Sequence, residues 1–168
     1  MPAKWFLIAL VSVLVAVMAA VVYTQYRPSQ QNLLDTIDQA PSWDGAPKLV
    51  DLSNESEADQ ERFTERLRTA AVEILPDARI TEERLFVDNA GVWDAVRKSS
   101  DVYFRRFGYS QTTESTAPSG QWTVNYIVRR PGSGLRRTFD NRIALVLEMP
   151  IPRIEGVLVG YFVMRPND

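Results

Sequence analysis

The sequence contains no cysteine and no histidine. Without cysteine the chain can form no disulfide, offers no thiol nucleophile or thiolate ligand, and has no lipobox cysteine for a lipid anchor. Without histidine it lacks the commonest general base at neutral pH and the commonest transition-metal ligand. Ser-His-Asp catalysis is excluded, and zinc-hydrolase chemistry is strongly disfavoured. Asp-rich calcium-loop spacing is also missing. Pro131-Gly132-Ser133-Gly134 is too short for a phosphate loop, contains no lysine and joins two predicted strands. Glu82, Glu83 and Asp88 remain as carboxylates for acid–base work, but such a cluster arises easily by chance on exposed segments. The expectation is a non-enzymatic protein with no catalytic residues, no metal and no cofactor. The net charge of −2 gives no reason to expect a nucleic-acid partner.

What the chain does have is one long apolar run. Trp5 to Tyr23 reads WFLIALVSVLVAVMAAVVY, 19 residues with no charge and one serine. As a helix it is roughly 28 Å long, close to the ~30 Å hydrocarbon core of a bilayer. Trp5 and Tyr23 bracket it, where amphipathic rings favour the membrane interface. Lys4 precedes it and Arg27 follows, so charge gives a single-pass orientation with the N-terminus cytoplasmic and the C-terminal domain periplasmic or extracellular. A cleaved signal peptide is the competing reading, but its apolar region usually runs only 7–15 residues. Here the run continues past Ala19 and Ala20 through Val21 and Val22. Residues 1–4 are then a short tip, 5–23 a transmembrane helix in contact with lipid, 24–53 a linker and 54–168 a soluble domain.

Pro28, Pro41, Gly45 and Pro47 punctuate the linker. It reads as a spacer lifting the domain off the membrane, with a short helix over residues 29–39 and a brief strand over 48–52. The alternative is that Leu33, Leu34, Ile37 and Trp43 dock onto a partner or onto the domain.

The 145 residues after Tyr23 suffice for one domain with its own core. Asn54 to Leu75 has helical periodicity, with Asn54 and Glu57 as a capping box and Phe63, Leu67, Ala70, Ala71, Ile74 and Leu75 on one face. Residues 79–87 suggest a strand. A second helix is expected from Ala90 to Phe107, with Trp93, Val96, Ser100, Tyr103 and Phe107 sharing a face and Gly108 in the left-handed position after it. Gln111 to Gly120 is polar enough to read as a loop. Three strands follow. In the first, Trp122, Val124, Tyr126 and Val128 face one side and Thr123, Asn125 and Arg129 the other. Leu135 to Met149 returns with Phe139, Ile143, Leu145, Leu147 and Met149 inward. Gly156 to Met164 is apolar on both faces, as for a central strand. The predicted fold is α+β, a two-layer domain of about two helices on an antiparallel sheet ending in a three-stranded meander. Trp93, Tyr103, Phe107, Trp122 and Tyr126 read as core, or alternatively as the lining of a helix–sheet pocket.

Charge is unevenly distributed. From Asp35 to Asp94 there are 15 acidic and 6 basic residues; from Ala95 to Arg142 there are 3 acidic and 9 basic. Arg129, Arg130, Arg136 and Arg137 flank one predicted turn, so they are candidates for contact with an acidic partner or anionic lipid headgroups. The plainer reading is that these arginines are solvated and balance the acidic first helix. Head-to-tail self-association of acidic and basic faces is a third.

Together these features suggest a membrane-anchored accessory or assembly subunit whose domain outside the cytoplasm binds other proteins. The alternative is a tethered small-ligand-binding or sensor domain. The order of parts is loosely similar to that of single-span assembly components of bacterial secretion systems, which carry an NTF2-like domain of helices against an antiparallel sheet. That resemblance is one of architecture and involves no shared motif.

Overall fold

The computed structural model describes residues 2–26, 32–40, 50–51, 56–88, 93–132, 140–151 and 156–167. Its elements are α1 (Pro2–Tyr26), β1 (Val50–Asp51), α2 (Glu57–Ile74), β2 (Ala78–Asp88), α3 (Trp93–Arg106), β3 (Tyr109–Ser119), β4 (Trp122–Pro131), β5 (Ile143–Pro150) and β6 (Val157–Pro166), with a 3-10 turn at Ile37–Gln39. The fold is α+β: the described residues form three α-helices and one antiparallel six-stranded sheet of order β1-β2-β6-β5-β4-β3.

The stretch expected as a loop over Gln111–Gly120 is instead mostly strand β3, so the meander has four strands and not three. Its Ser and Thr residues suggested a loop, but β3 is the sheet's outer strand and needs no second apolar face. Ser119 pairs with Trp122 across a two-residue turn. Gly120 takes φ 57° there, the positive value that the first central residue of a type II′ hairpin requires. Pro118 and a bulge between Gln111 and Thr113 interrupt the regularity of this outer strand.

Residues alternate across the strands and separate two cores. Phe63, Leu67, Ala70 and Ala71 of α2 pack with Val124, Val128, Leu145, Leu147, Leu158 and Phe162 on one face of the sheet. Val96, Tyr103 and Phe104 of α3 pack with Phe86, Ala144, Val146, Val159, Tyr161 and Val163 on the other. The expected two-layer arrangement is therefore corrected to three layers, with a helix on each face. Periodicity shows that a helix has an apolar face but not which side of a sheet it will cover. The apolar residues on both faces of β6 belong to this arrangement, and β6 does lie centrally, between β2 and β5. Each fully buried Leu or Phe in these layers contributes about 1.5–3 kcal/mol.

Local signals set the helix ends. The side chain of Ser56, not Asn54, caps α2 and accepts from the Asp59 amide at 3.3 Å; Asn54 lies outside the described residues. After α3, Gly108 has φ 74° and its amide donates to the Arg105 carbonyl at 2.9 Å, the left-handed ending expected from its position.

The segment read as a spacer is in part core. Leu33, Leu34 and Ile37 are each no more than 2% exposed and pack beneath α3. The Tyr103 hydroxyl donates to the Leu33 carbonyl at 2.7 Å, and the Leu34 amide donates to Glu82 at 3.0 Å. Docking onto the domain is thus the reading that holds for these three residues. Trp43 lies outside the described residues. The brief strand expected around residues 48–52 appears as β1, paired with β2.

The N-terminal apolar run forms α1. Its described side chains from Ile8 to Val21 are all exposed, and the Ser12 hydroxyl donates within the helix to the Ile8 carbonyl at 2.9 Å. Those side chains cover less than a bilayer crossing. Among the described residues no helix is long and apolar enough to cross a membrane. The side chains of Trp5 and Tyr23 lie outside the described residues.

Candidate functional site

Helical spacing places Arg62, Glu65, Arg66, Thr69 and Glu73 along one side of α2, away from the face that packs on the sheet. This side runs beside the β3–β4 hairpin. Between them lies an open cleft of about 390 Å³, with Ser119, Gly120, Gln121 and Trp122 on the hairpin side and Met149 also lining it. Trp122 and Met149 make the floor apolar. The Arg66 guanidinium lies over the Trp122 ring, 5.9 Å from its centre, a cation–π contact that leaves the ring partly open. Arg62 pairs with Asp59 at 2.8 Å, but both are well exposed, so the pair adds little stability.

Local chemistry builds this cleft. The Gly120 turn places Trp122 at the first position of β4, where its ring can lean against the first half of α2. Arg68 of α2 makes a two-point ion pair with Glu83 of β2, which fixes the helix across the sheet. Donating hydrogen bonds to the Glu83 carboxylate raises the Arg68 pKa, with burial acting against it and nearby carboxylates adding to the rise. The cleft offers an apolar anchor point with two guanidinium and two carboxylate groups around it. That is chemistry for recognition. It contains no paired nucleophile and base, and among the described residues no three acidic groups converge to hold a metal ion.

The four arginines expected at one tip are not brought together by the described residues. Arg129 is fully buried and Arg130 is exposed on the opposite face of β4. Arg136 and Arg137 lie outside the described residues. Arg129 is therefore corrected from surface contact to internal brace. Its Nη1 meets Asp101 at 2.6 Å and its Nη2 donates to Ser100 at 3.2 Å and to the Arg97 carbonyl at 3.3 Å. Alternation alone put Arg129 on the polar side of β4; only the unexpected covering by α3 buries it.

Of the three carboxylates suspected of chemistry, Glu82 and Glu83 have structural partners, and the Asp88 side chain lies outside the described residues. Glu83 holds Arg68, and Glu82 accepts from Leu34 and faces Arg142 at 3.9 Å. The aromatic set also divides. Trp122 and Tyr126 pack on the α2 side, while Trp93, Tyr103 and Phe107 pack on the α3 side, so these five cannot line one pocket. Trp122 was visible in the sequence as an inward residue. Its pairing with Arg66 joins residues far apart in the chain, which no local pattern reveals.

Comparison of the chain with protein-family models, with curated proteins and with solved structures found no match.

Proposed function

We propose that the protein is a membrane-anchored, non-enzymatic accessory or assembly subunit, and that it recognises a protein partner through the cleft between α2 and the β3–β4 hairpin. The observation that carries this reading is the cleft itself. Both helix–sheet interfaces are filled by side chains that are almost fully buried, whereas Trp122 is left partly open beneath Arg66. An apolar residue of a partner segment fits over Trp122 and Met149, and flanking charges meet Arg62, Glu65, Arg66 and Glu73. Aromatic and arginine residues are the commonest energetic anchors of protein interfaces.

The anchor in this proposal is the uncharged run Trp5–Tyr23. It is helical along its length, and its described side chains are exposed on every side and, Ser12 apart, apolar. Such a helix gains nothing from water, and a bilayer is the solvent that suits it. Ser12 already satisfies its hydroxyl within the helix, as an apolar surrounding requires. The domain then lies outside the cytoplasm, by the flanking charge of Lys4. Arg130, Arg136 and Arg137 form a further proposed contact for an acidic partner or for lipid.

The test is purification of the full chain from native membranes in mild detergent, with mass spectrometry of what accompanies it. A defined partner is expected, lost when Trp122→Ala is combined with Arg66→Glu. A chain that purifies alone sinks the assembly reading. The alternative is a small-ligand or sensor domain, and it rests on the cleft volume, which lies within the usual range of small-molecule sites. A ligand that raises the Tm of wild type but not of Trp122→Ala would favour it.

A further inference from the structure

The strand register gathers arginines at one end of the sheet. Tyr109 at the start of β3 pairs with Pro131 at the end of β4, next to Arg130. Ile143 at the start of β5 pairs with Met164, next to Arg165 near the end of β6. Arg165 in turn faces Arg79, near the start of β2. Arg142 immediately precedes β5, and Arg105 and Arg106 close α3 just before β3. The hairpin and its Trp122 cleft lie at the opposite end.

Within this basic end is a pocket of about 280 Å³, lined by Asn32, Arg79, Thr81, Glu82, Arg142 and Arg165, with Ile80 between them. Arg142 is nearly buried and committed. Its Nε and Nη2 grip the two Asp140 oxygens at 2.9 Å each, and its Nη1 faces Glu82. The two nearby carboxylates are thus engaged with Arg142. Arg79 and Arg165 are exposed, stand directly opposite each other in the ladder, and have no ion-pair partner among the described residues. Like charges directly opposite on neighbouring strands destabilise a sheet. An anion between them removes that repulsion, and two guanidinium groups suit the several oxygens of a phosphate.

If α1 enters a bilayer as proposed, a source of phosphate lies close by. Asn32 lines this pocket and follows Tyr26, the last residue of α1, by six positions. Six residues span at most about 22 Å even when fully extended. Whatever surface α1 enters therefore lies within that reach of the pocket.

We infer that the Arg79–Arg165 end of the sheet binds phosphate groups of anionic phospholipid headgroups, and so seats the domain on the membrane with the Trp122 cleft turned away from it. This rests on the reading of α1 as a membrane anchor. The exposed pair supplies the specific contact, and the exposed Arg106 and Arg130 add positive charge at the same end of the sheet.

The absence of native cysteine makes the test direct. A spin label on Asn167→Cys, beside Arg165, and another on Gln121→Cys, at the hairpin, report their approach to a nickel-chelating lipid in nanodiscs that hold the full chain. In discs containing phosphatidylglycerol the Asn167 label is expected near the surface and the Gln121 label away from it. Arg79→Gln with Arg165→Gln should lower the surface-seated population about tenfold or more, whereas Arg79→Lys with Arg165→Lys should largely retain it. In the absence of any anion, Arg165→Gln alone should raise the Tm, which shows that the variant folds and that the repulsion is real.

Equal seating on purely zwitterionic discs would overturn the proposal. So would seating unchanged in the double Gln variant. If inorganic phosphate raises the Tm of wild type while anionic lipid leaves the labels unmoved, the pocket takes free phosphate and the lipid source is wrong. A chain that enters nanodiscs without any seating overturns this inference and leaves the anchor reading intact. A chain that fails to enter nanodiscs overturns both.

Discussion

Arg129 Nη1 lies 2.6 Å from Asp101 Oδ1, with the arginine side chain fully buried and the aspartate about one-fifth exposed. The pair joins the middle of α3 to β4. Burial pushes the Arg129 pKa below its ordinary value, and Asp101 offsets this only in part. Removing Asp101 strands a buried cation, so Asp101→Asn should cost about 3–5 kcal/mol in urea unfolding. Arg129→Met removes the charge together with its desolvation and should cost clearly less. Equal losses for the two variants would show that the pair acts through packing alone.

The Asp140–Arg142 pair makes a prediction about pH. Burial would raise the Asp140 pKa, but hydrogen bonds and charge from Arg142 outweigh it and hold the carboxyl below its usual value. A depressed folded-state pKa gives stability that is present above the unfolded value, about 3.9, and is lost as pH falls through the lower folded one. At neutral pH Asp140→Asn should therefore lower the Tm. Below about pH 4 its deficit relative to wild type should narrow as Asp140 protonates. A deficit constant down to pH 2 would count against this assignment.

Tyr103 secures the segment that follows α1. Its hydroxyl reaches the Leu33 carbonyl at 2.7 Å and Thr36 Oγ1 at 3.1 Å. Tyr103→Phe leaves that carbonyl without its partner and should cost about 1–3 kcal/mol. The effect should be local at first. Hydrogen exchange at the Ala40 amide, bonded to the Ile37 carbonyl at 3.0 Å, should quicken well before that of β5 amides.

Two glycines should fail for different reasons. A methyl group on Gly160 would fall 2.5 Å from Cε2 of the buried Phe162 ring, so Gly160→Ala should cost about 1–3 kcal/mol by crowding. Adding Phe162→Leu should recover part of that loss. Gly120 has open space around it but φ 57°, so Gly120→Ala should cost about 1–2 kcal/mol from the backbone alone. No second substitution of a neighbour should rescue it. Denaturant titration of the three variants decides both cases.

Periodicity made much of the fold legible. Phe63, Leu67, Ala70 and Ala71 on α2, and Ile143, Leu145, Leu147 and Met149 on β5, face the core as their spacing implies. Gly108 was readable because few residues accept its backbone conformation. The layer count was not readable, because amphipathicity is a local property and the choice of sheet face is a global one. The strand β3 was missed for a related reason. Its Ser and Thr residues are ordered by pairing with β4, which no local window contains. The fate of Leu33, Leu34 and Ile37 was left open by the sequence, since three apolar residues between prolines do not reveal what they meet. The candidate site followed the same rule: Trp122 was visible, but its neighbour Arg66 is 56 positions away in the chain.

The outer strand β3 has a further consequence. Thr113, Glu114, Ser115 and Thr116 are exposed along it, and Pro118 and a bulge break its hydrogen-bonding rhythm. Molecules confined to a bilayer meet by diffusion in two dimensions, at local concentrations far above those of the same number free in solution. An apolar, regular strand edge would then be a template on which copies zip into ribbons. If α1 holds the domain in a bilayer as proposed, the polar, interrupted border of β3 would let neighbouring copies collide there without adding strand to strand along this edge.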